Sequence, residues 1–528
     1  MKPTKSGNRS IAHYLTFGLL FVGILAWNLW PLNYTSQPLG DETWNTSRAW
    51  AYLQTGKNFS SMDSDLNTDF PGYWTFYPLL PTLFMSLALF AGPSVFAIRL
   101  LSLLFGLALL AAVYIIGRRF GGKWAAALSF AIVGISLPFT SMAHIGRPDI
   151  MTAAFGYWGI ALTLNRSRQK WWLNLLGGLC IGAAFEIHPN GLIYAASAFF
   201  LYFVAFPDMP EAESKSQSFW TPFWRQDIFW MFVVGAAVGF ACYVGIHILP
   251  YPSTYFAIQR LQFSASHTPP IFTFAPGLMA RGIGETAAMV TSVYPLTWIM
   301  FFIAGAYLMI VNFRKNLGVL LLNAVLFLSI ALWLRNKFSY YAIILTPALG
   351  ILLATALADV FRIPWKRGWL DYVVRISLAC LVGISSGLNL LASRPNTETS
   401  FQPVMDAVAR EVKPGETIMG PQIYWFGLID HEYDSWEELV YYQHTYPNAN
   451  MEEALAFYHP DIFIIDGFMR YFLIPREEEF TLFQSLHLPG DELIAALEKR
   501  GALIATIDGG SAVGTIQIYR LWWVKSEP

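Results

Sequence analysis

The sequence predicts a mainly α-helical membrane protein: a bundle of about 11 transmembrane spans over residues 1–393, with a small α/β domain over 394–528. Three observations predict it. Of the 528 residues, 55% are hydrophobic and 13% are charged, about half the charge of an ordinary soluble domain. The mean hydropathy is +0.43, so lipid rather than water has to solvate most of the chain. Apolar runs of span length recur as far as residue 391, and near Arg394 the composition changes to that of a soluble protein.

The runs lie near 13–33, 95–116, 123–142, 150–164, 172–188, 191–206, 228–249, 294–312, 317–334, 340–361 and 371–391. The first follows Lys2, Lys5 and Arg9 but has no small-residue cleavage site before Pro31, so it reads as a retained span. Tyr73–Gly92 is apolar but broken by Pro78 and Pro81. With this segment in the interface and the amino terminus inside, the basic short loops all fall on the cytoplasmic side. These loops carry Arg118, Arg119 and Lys123; Arg166, Arg168 and Lys170; Lys215 and Arg225; Arg314 and Lys315; and Arg362, Lys366 and Arg367. The opposite face then receives a first outer loop of about 33–94, the turn His144–Asp149, the loop Pro250–Val293, the turn Arg335–Tyr340 and the carboxyl-terminal domain. In that domain Glu416–Gly420 and Asp461–Asp466 read as buried strands, and Met451–Phe457 and Asp491–Arg500 have helical periodicity. Net charge near zero says nothing about nucleic acid, and with no basic, aromatic-interleaved run to suggest a groove no nucleic-acid partner is assigned. The partners this composition implies are membrane lipids.

Four groups of polar residues gather on the outer face. Asp41 and Glu42 follow the first span and open a helical pattern that runs through Trp50 and Leu53. Asp41 reads either as a helix cap or as a general base toward an acceptor hydroxyl. The second group is His144, Arg147 and Asp149, with Pro148 starting a helix. An acid in a first turn suits the helix dipole, and charge at a membrane boundary also marks a substrate path. Glu186 and His188 end another span and form the third group, either pairing with each other or a nearby arginine, or lining a wet cavity. Arg335, Lys337, Tyr340 and Tyr341 precede the tenth span. They read as interface anchors or, with Arg260 and Arg281 from another outer loop, as the cations and phenols that a phosphate leaving group requires.

No HExxH, paired-cysteine motif or dense acid run marks a metal site. Asp63, Asp65 and Asp69 have DxD-like spacing among Ser and Asn and read as solvated loop acids. A divalent cation held between Asp41 and Asp149 is an open alternative. Cys180, Cys242 and Cys380 each lie in an apolar stretch, where a free thiol behaves as a small hydrophobe.

The order of these motifs resembles the GT-C glycosyltransferases of the protein O-mannosyltransferase and lipid A aminoarabinose transferase type. The residues that carry it are Asp41-Glu42 after the first span, Pro78-Leu79-Leu80-Pro81, Ala97-Ile98-Arg99-Leu100, Gly117-Arg118-Arg119-Phe120, Arg147-Pro148-Asp149, and Lys337 with Tyr340-Tyr341. The similarity covers the first 165 residues and returns over Lys337–Leu352. It implies a multi-pass enzyme of the cell membrane that transfers a sugar, with inversion, from a polyprenyl-phosphate donor to a protein, lipid or glycan acceptor on the extracytoplasmic face. Asp41 would be the base. Glu42 and Asp149 would line the same cavity, with Arg147, His144, Glu186, His188 and Tyr341 around them. Lys337 and Tyr340 would hold the phosphate. Trp44-Asn45 stands where many relatives have Arg-Tyr, so another cation must face the phosphate: Arg260, Arg281 or Lys337. Two other classes compete, a secondary transporter or lipid flippase and a non-catalytic glycan-assembly subunit. Transporters usually show repeated halves with polar groups at mid-bilayer, and this sequence shows neither.

Overall fold

The computed structural model describes residues 6–33, 37–60, 62, 70–90, 92–165, 167–204, 227–265, 276–293, 297–334, 337–362, 369–392, 400–473 and 488–523. The chain divides into two compact units. The first comprises Met1–Leu32, Arg99–Val244 and Pro270–Pro395, and the second Asn33–Ile98, Gly245–Pro269 and Asn396–Pro528. In chain order the first helices are α1 (Ser6–Leu29), α2 (Gly40–Thr55), α3 (Leu79–Leu89), α4 (Val95–Gly134), α5 (Leu137–Ala143), α6 (Pro148–Thr163), α7 (Trp171–Ile187) and α8 (Leu192–Leu201). There follow α9 (Asp227–Tyr243), α10 (Pro252–Ala265), α11 (Pro276–Val293), α12 (Thr297–Trp333), α13 (Ala342–Arg362) and α14 (Trp369–Ala392). The last part alternates: α15 (Gln402–Glu411), β1 (Ile418–Gly420), β2 (Tyr433–Ser435), α16 (Glu437–Thr445), α17 (Met451–Tyr458), β3 (Ile462–Ile465) and α18 (Gly467–Leu473). It ends with α19 (Gly490–Arg500), β4 (Gly501–Asp508), α20 (Gly510–Val513) and β5 (Thr515–Leu521).

Among the described residues, five helical stretches are long and apolar enough to cross a membrane: Val95–Gly134, Asp227–Ile248, Thr297–Trp333, Ser339–Arg362 and Arg375–Ala392. Two of these each cover two of the apolar runs. Gly122, at φ 78°, breaks Val95–Gly134, and Asn312 breaks Thr297–Trp333. Other runs fold as helices of 16 (α6), 17 (α7) and 10 (α8) residues, short of a full crossing by length. The count of about 11 spans is therefore not reached by length and composition.

In the first unit, α7 and α9 cross where both carry glycines four apart. A Cβ on Gly182 would stand 2.6 Å from Gly239 Cα, and one on Gly178 would stand 2.1 Å from Phe232 O. Small residues at such spacing let two helix backbones touch, which is how apolar helices associate in lipid. Helix α13 contains Pro347, which removes one backbone donor and opens the helical ladder. The Tyr157 hydroxyl enters the gap, donating to Ile344 O at 2.8 Å and accepting from Ala348 N–H at 3.1 Å. One buried phenol thus satisfies two backbone groups that no water could reach.

The second unit is built on a five-stranded sheet in the order β2-β1-β3-β5-β4. Strands β2, β1 and β3 run parallel, and β5 and β4 are antiparallel to their neighbours. One face buries Trp436, Leu439, Met451, Leu455, Leu493 and Leu497. The other buries Phe401, Met405, Tyr424, Trp425 and Ile464 together with Met62 of the first outer loop, and Trp44 and Trp50 of α2 pack against it. The carboxyl-terminal domain and the first outer loop therefore share one core. Tyr73–Gly92 forms the 3-10 turn Tyr73–Thr75 and the 11-residue α3, and α3 spans roughly 16 Å, too little to cross about 30 Å of hydrocarbon. Pro81 cannot donate to Tyr77 O, and Asn58 Nδ2 donates there instead at 2.8 Å. Gly72 is required twice over: its φ is 71°, and Tyr251 lies where a Cβ would be.

Candidate active site

In the first unit, Pro148 holds Arg147 in an extended conformation at the N-cap and starts α6, which puts Asp149 in the first turn. Arg147 Nε donates to Asp149 Oδ2 at 2.8 Å, with the two side chains 8% and 3% exposed. Burial opposes the Arg147 charge, but Asp149 and the phenol of Tyr340 outweigh it and move its pKa up. The guanidinium lies 3.9 Å from the centre of the Tyr340 ring, a cation–π contact strengthened by desolvation. Tyr340 packs edge-on against Tyr341 at 4.6 Å, and Tyr341 faces the His188 ring at 6.3 Å. His188 Nδ1 accepts from Asn190 N–H at 3.1 Å, which leaves Nε2 to carry the ring proton. The structure thus gathers Arg147, Asp149, Tyr340, Tyr341 and His188 into one cluster, with the ion pair buried and the three rings half-buried. Glu186 lies buried in the last turn of α7. His144, in the turn before Arg147, donates from Nε2 to Asn28 O at 2.9 Å. Burial is the main cause that lowers its pKa to about 4, and Arg99 adds to the effect while the Asn28 bond opposes it. It is a neutral tether to α1.

Lys337 belongs to the same unit. Its side chain is 5% exposed, and Nζ reaches Leu334 O at 2.7 Å and Glu285 Oε2 at 3.3 Å. Arg281 also pairs with Glu285, at 2.7 Å. Burial raises the Glu285 pKa, but the Arg281 and Lys337 hydrogen bonds outweigh it and the carboxyl is held below its ordinary value. Two of the cations read from the sequence as phosphate partners, Arg281 and Lys337, therefore converge on one carboxylate. Sequence reading passed over Glu285, although its position four residues after Arg281 on a helix is itself a pairing signal. Arg335 lies outside the described residues, as do Asp63, Asp65 and Asp69.

In the second unit, Leu39 rather than Asp41 occupies the N-cap of α2. Glu42 takes the capping bond, its Oε2 accepting from Leu39 N–H at 3.3 Å, and its side chain is fully buried. Asp41 is exposed in the first turn. The capping account of the acid pair thus belongs to Glu42 rather than to Asp41. Arg260 is exposed on α10 of this unit. Among the described residues no group of three His, Cys, Asp or Glu is disposed to hold a metal ion. The sequence also gives no sign of Gln422, which lies beside the start of α2 only once the chain has folded, or of Glu437, which accepts from Gln422.

Residues 76–221 match the family model described as dolichyl-phosphate-mannose-protein mannosyltransferase. ArnT from Cupriavidus metallidurans, in a structure bound to undecaprenyl phosphate, superposes with a TM-score of 0.60 at 13% identity, over 95% of this chain and 97% of that one. The fold is that of the GT-C glycosyltransferases. Two other GT-C structures match at lower scores. The oligosaccharyltransferase AglB from Archaeoglobus fulgidus, in complex with an inhibitory peptide and a dolichol-phosphate, gives a TM-score of 0.54 at 14% identity, over 94% of this chain and 73% of that one. The arabinofuranosyltransferase AftD from Mycobacteria gives 0.51 at 14% identity, over 95% of this chain and 41% of that one. No curated protein matches the chain in sequence.

Proposed function

We propose that this protein transfers a sugar from a polyprenyl-phosphate carrier to an acceptor hydroxyl on the extracytoplasmic face of the cell membrane, with inversion. The carrying observation is the exposed carboxylate of Asp41 in the first turn of α2, immediately after the first span of a GT-C fold. In this reading Asp41 takes the proton of the acceptor hydroxyl and the acceptor oxygen attacks the anomeric carbon. The bond from that carbon to the phosphate oxygen breaks, and its electron pair leaves with the lipid phosphate. Lys337, Tyr340 and an arginine, Arg260 or Arg281, stabilise the departing charge. Asp149, held by Arg147, orients the acceptor side of the cavity, with His144, Glu186, His188 and Tyr341 completing its wall. Solved relatives of this fold carry undecaprenyl phosphate and dolichol-phosphate, which supports the donor class. The acceptor is a protein, lipid or glycan hydroxyl, and a divalent ion between Asp41 and Asp149 is not required by this scheme.

The test is incubation of the purified, lipid-reconstituted protein with a labelled polyprenyl-phosphate sugar and a mixture of acceptors. Release of polyprenyl phosphate with label on an acceptor is expected, whereas a flippase or a scaffold subunit releases none. Asp41→Asn should lower turnover at least a hundredfold, in the range typical of losing a general base, while donor binding stays within about twofold. Full activity in that variant removes Asp41 from the mechanism.

A further inference from the structure

The acid proposed as base sits on a turn that the carboxyl-terminal domain grips. Gln422 opens the 3-10 turn Gln422–Gly427 just past β1, and Ser435 and Glu437 flank the end of β2. They therefore stand at the carboxyl ends of neighbouring parallel strands, the edge where open α/β sheets collect functional groups. Gln422 is 4% exposed. Its Nε2 donates to Ser435 Oγ at 2.7 Å and to Glu437 Oε1 at 3.0 Å. Both amide protons are engaged, so the carboxamide cannot turn over without losing two bonds. The orientation so fixed aims Oε1 at α2: a Cβ on Gly40, the residue before Asp41, would lie 3.4 Å from it. The same 3-10 turn packs along α2, and one turn further Trp44 rests on the core formed by Tyr424 and Trp425. Burial pushes the Glu437 carboxyl up to about 7, with the Gln422 hydrogen bond opposing it.

We propose that Gln422 and Glu437 are positioning residues for Asp41, so that the carboxyl-terminal domain sets the height and tilt of the turn from which the base works. Neither touches a reacting atom. Glu437 and Ser435 fix Gln422, and Gln422 abuts the Gly40 backbone. The inference rests on the reading of Asp41 as the base.

The test uses the full-length protein in lipid nanodiscs with the labelled donor. Glu437→Ala is expected to lower kcat by roughly tenfold or more, as sub-ångström misplacement of a reacting group does, with the donor KM within about twofold. Glu437→Gln should stay within about threefold of wild type, because its side-chain carbonyl can still accept from Gln422 Nε2. A structural role alone would not separate these two variants in kcat. Should Glu437→Ala fail to fold, Ser435→Ala removes the other anchor of Gln422 and should lower kcat in the same direction by a smaller factor. Equal kcat in Glu437→Ala and wild type, loss in Glu437→Gln as large as in Glu437→Ala, a parallel rise in donor KM, or an unaffected Ser435→Ala would each overturn the proposal. Asp41→Asn reports separately: an active Asp41→Asn defeats the base, whereas an inactive one beside a normal Glu437→Ala defeats only the positioning role.

Discussion

His144 carries the residue-scale argument because its surroundings fix its protonation. Burial of the ring favours the neutral form and the pKa falls from 6.5 to about 4, although the bond from Nε2 to Asn28 O opposes the shift. A histidine whose folded pKa lies below its unfolded value contributes stability that is fully present above about 6.5 and is lost as pH falls toward 4. Between pH 7 and pH 5 the expected loss is about 2 kcal/mol. Thermal unfolding of the detergent-solubilised protein at the two pH values measures it, with His144→Gln as the control, since glutamine donates to the same carbonyl but does not titrate. An equal pH drop in both proteins would show that other groups govern the window. The sequence made His144, Arg147 and Asp149 legible as a polar turn, because Pro148 marks the helix start and a short outer turn forces neighbours together. It did not reveal Tyr340 over Arg147, a contact between residues 193 positions apart. Nor did it reveal Glu285 between Arg281 and Lys337, because Lys337 lies 52 residues from Glu285 along the chain and only folding brings them together.

Elements were legible where one local pattern decides their conformation. Asp461–Asp466 reads as a strand because an uninterrupted β-branched and aromatic run of that length suits a strand buried on both faces, and β3 forms at Ile462–Ile465. Met451–Tyr458 and Gly490–Arg500 follow the 3.6-residue period of an amphipathic helix. Spans are harder to delimit for a different reason: hydropathy measures how apolar a window is, not where the helix stops. Single residues, Gly122 and Asn312, mark the breaks inside two long helices. The crossing of α7 and α9 also depends on single residues. Gly182→Ala would thrust a methyl to 2.6 Å from Gly239 Cα, where backbone rather than a flexible side chain has to move. Overpacking of this kind costs about 1–3 kcal/mol, and thermal unfolding in detergent should show it as a lowered midpoint. Gly18→Ala on α1, where a Cβ meets nothing within 4 Å, should leave the midpoint unchanged or slightly raised. Equal behaviour of the two variants would mean that the helices are not in backbone contact.

At the scale of the molecule, the second unit is assembled from segments far apart in sequence, Asn33–Ile98, Gly245–Pro269 and Asn396–Pro528. Composition marks a change near Arg394, yet composition is local and cannot show that Met62 is buried among Phe401, Met405 and Tyr424. That shared core is the basis for a truncation experiment. A chain ending at Ala392 keeps every apolar run read as a span but loses the residues that cover Met62, Trp44 and Trp50. Helix α2 has 16 residues, and helices near that length are marginal in water without a packed face. Among the described residues that remain, Ser86 Oγ of α3 donates to Ala49 O at 2.9 Å, Ser47 Oγ shares a hydrogen bond with Ser60 Oγ at 2.7 Å, and Arg48 lies 3.8 Å from the centre of the Tyr77 ring. Hydrogen bonds of this kind are worth only about 1 kcal/mol each. The truncated chain should therefore still insert in the membrane, become open to protease between Gly40 and Phe76, and release no polyprenyl phosphate from a labelled donor. Limited proteolysis of membranes containing the full and shortened chains reads the first effect, and the donor assay reads the second. If the first outer loop of the shortened chain resisted protease as the full chain does, the two segments would not depend on a common core, and the carboxyl-terminal domain would have no part in holding Asp41.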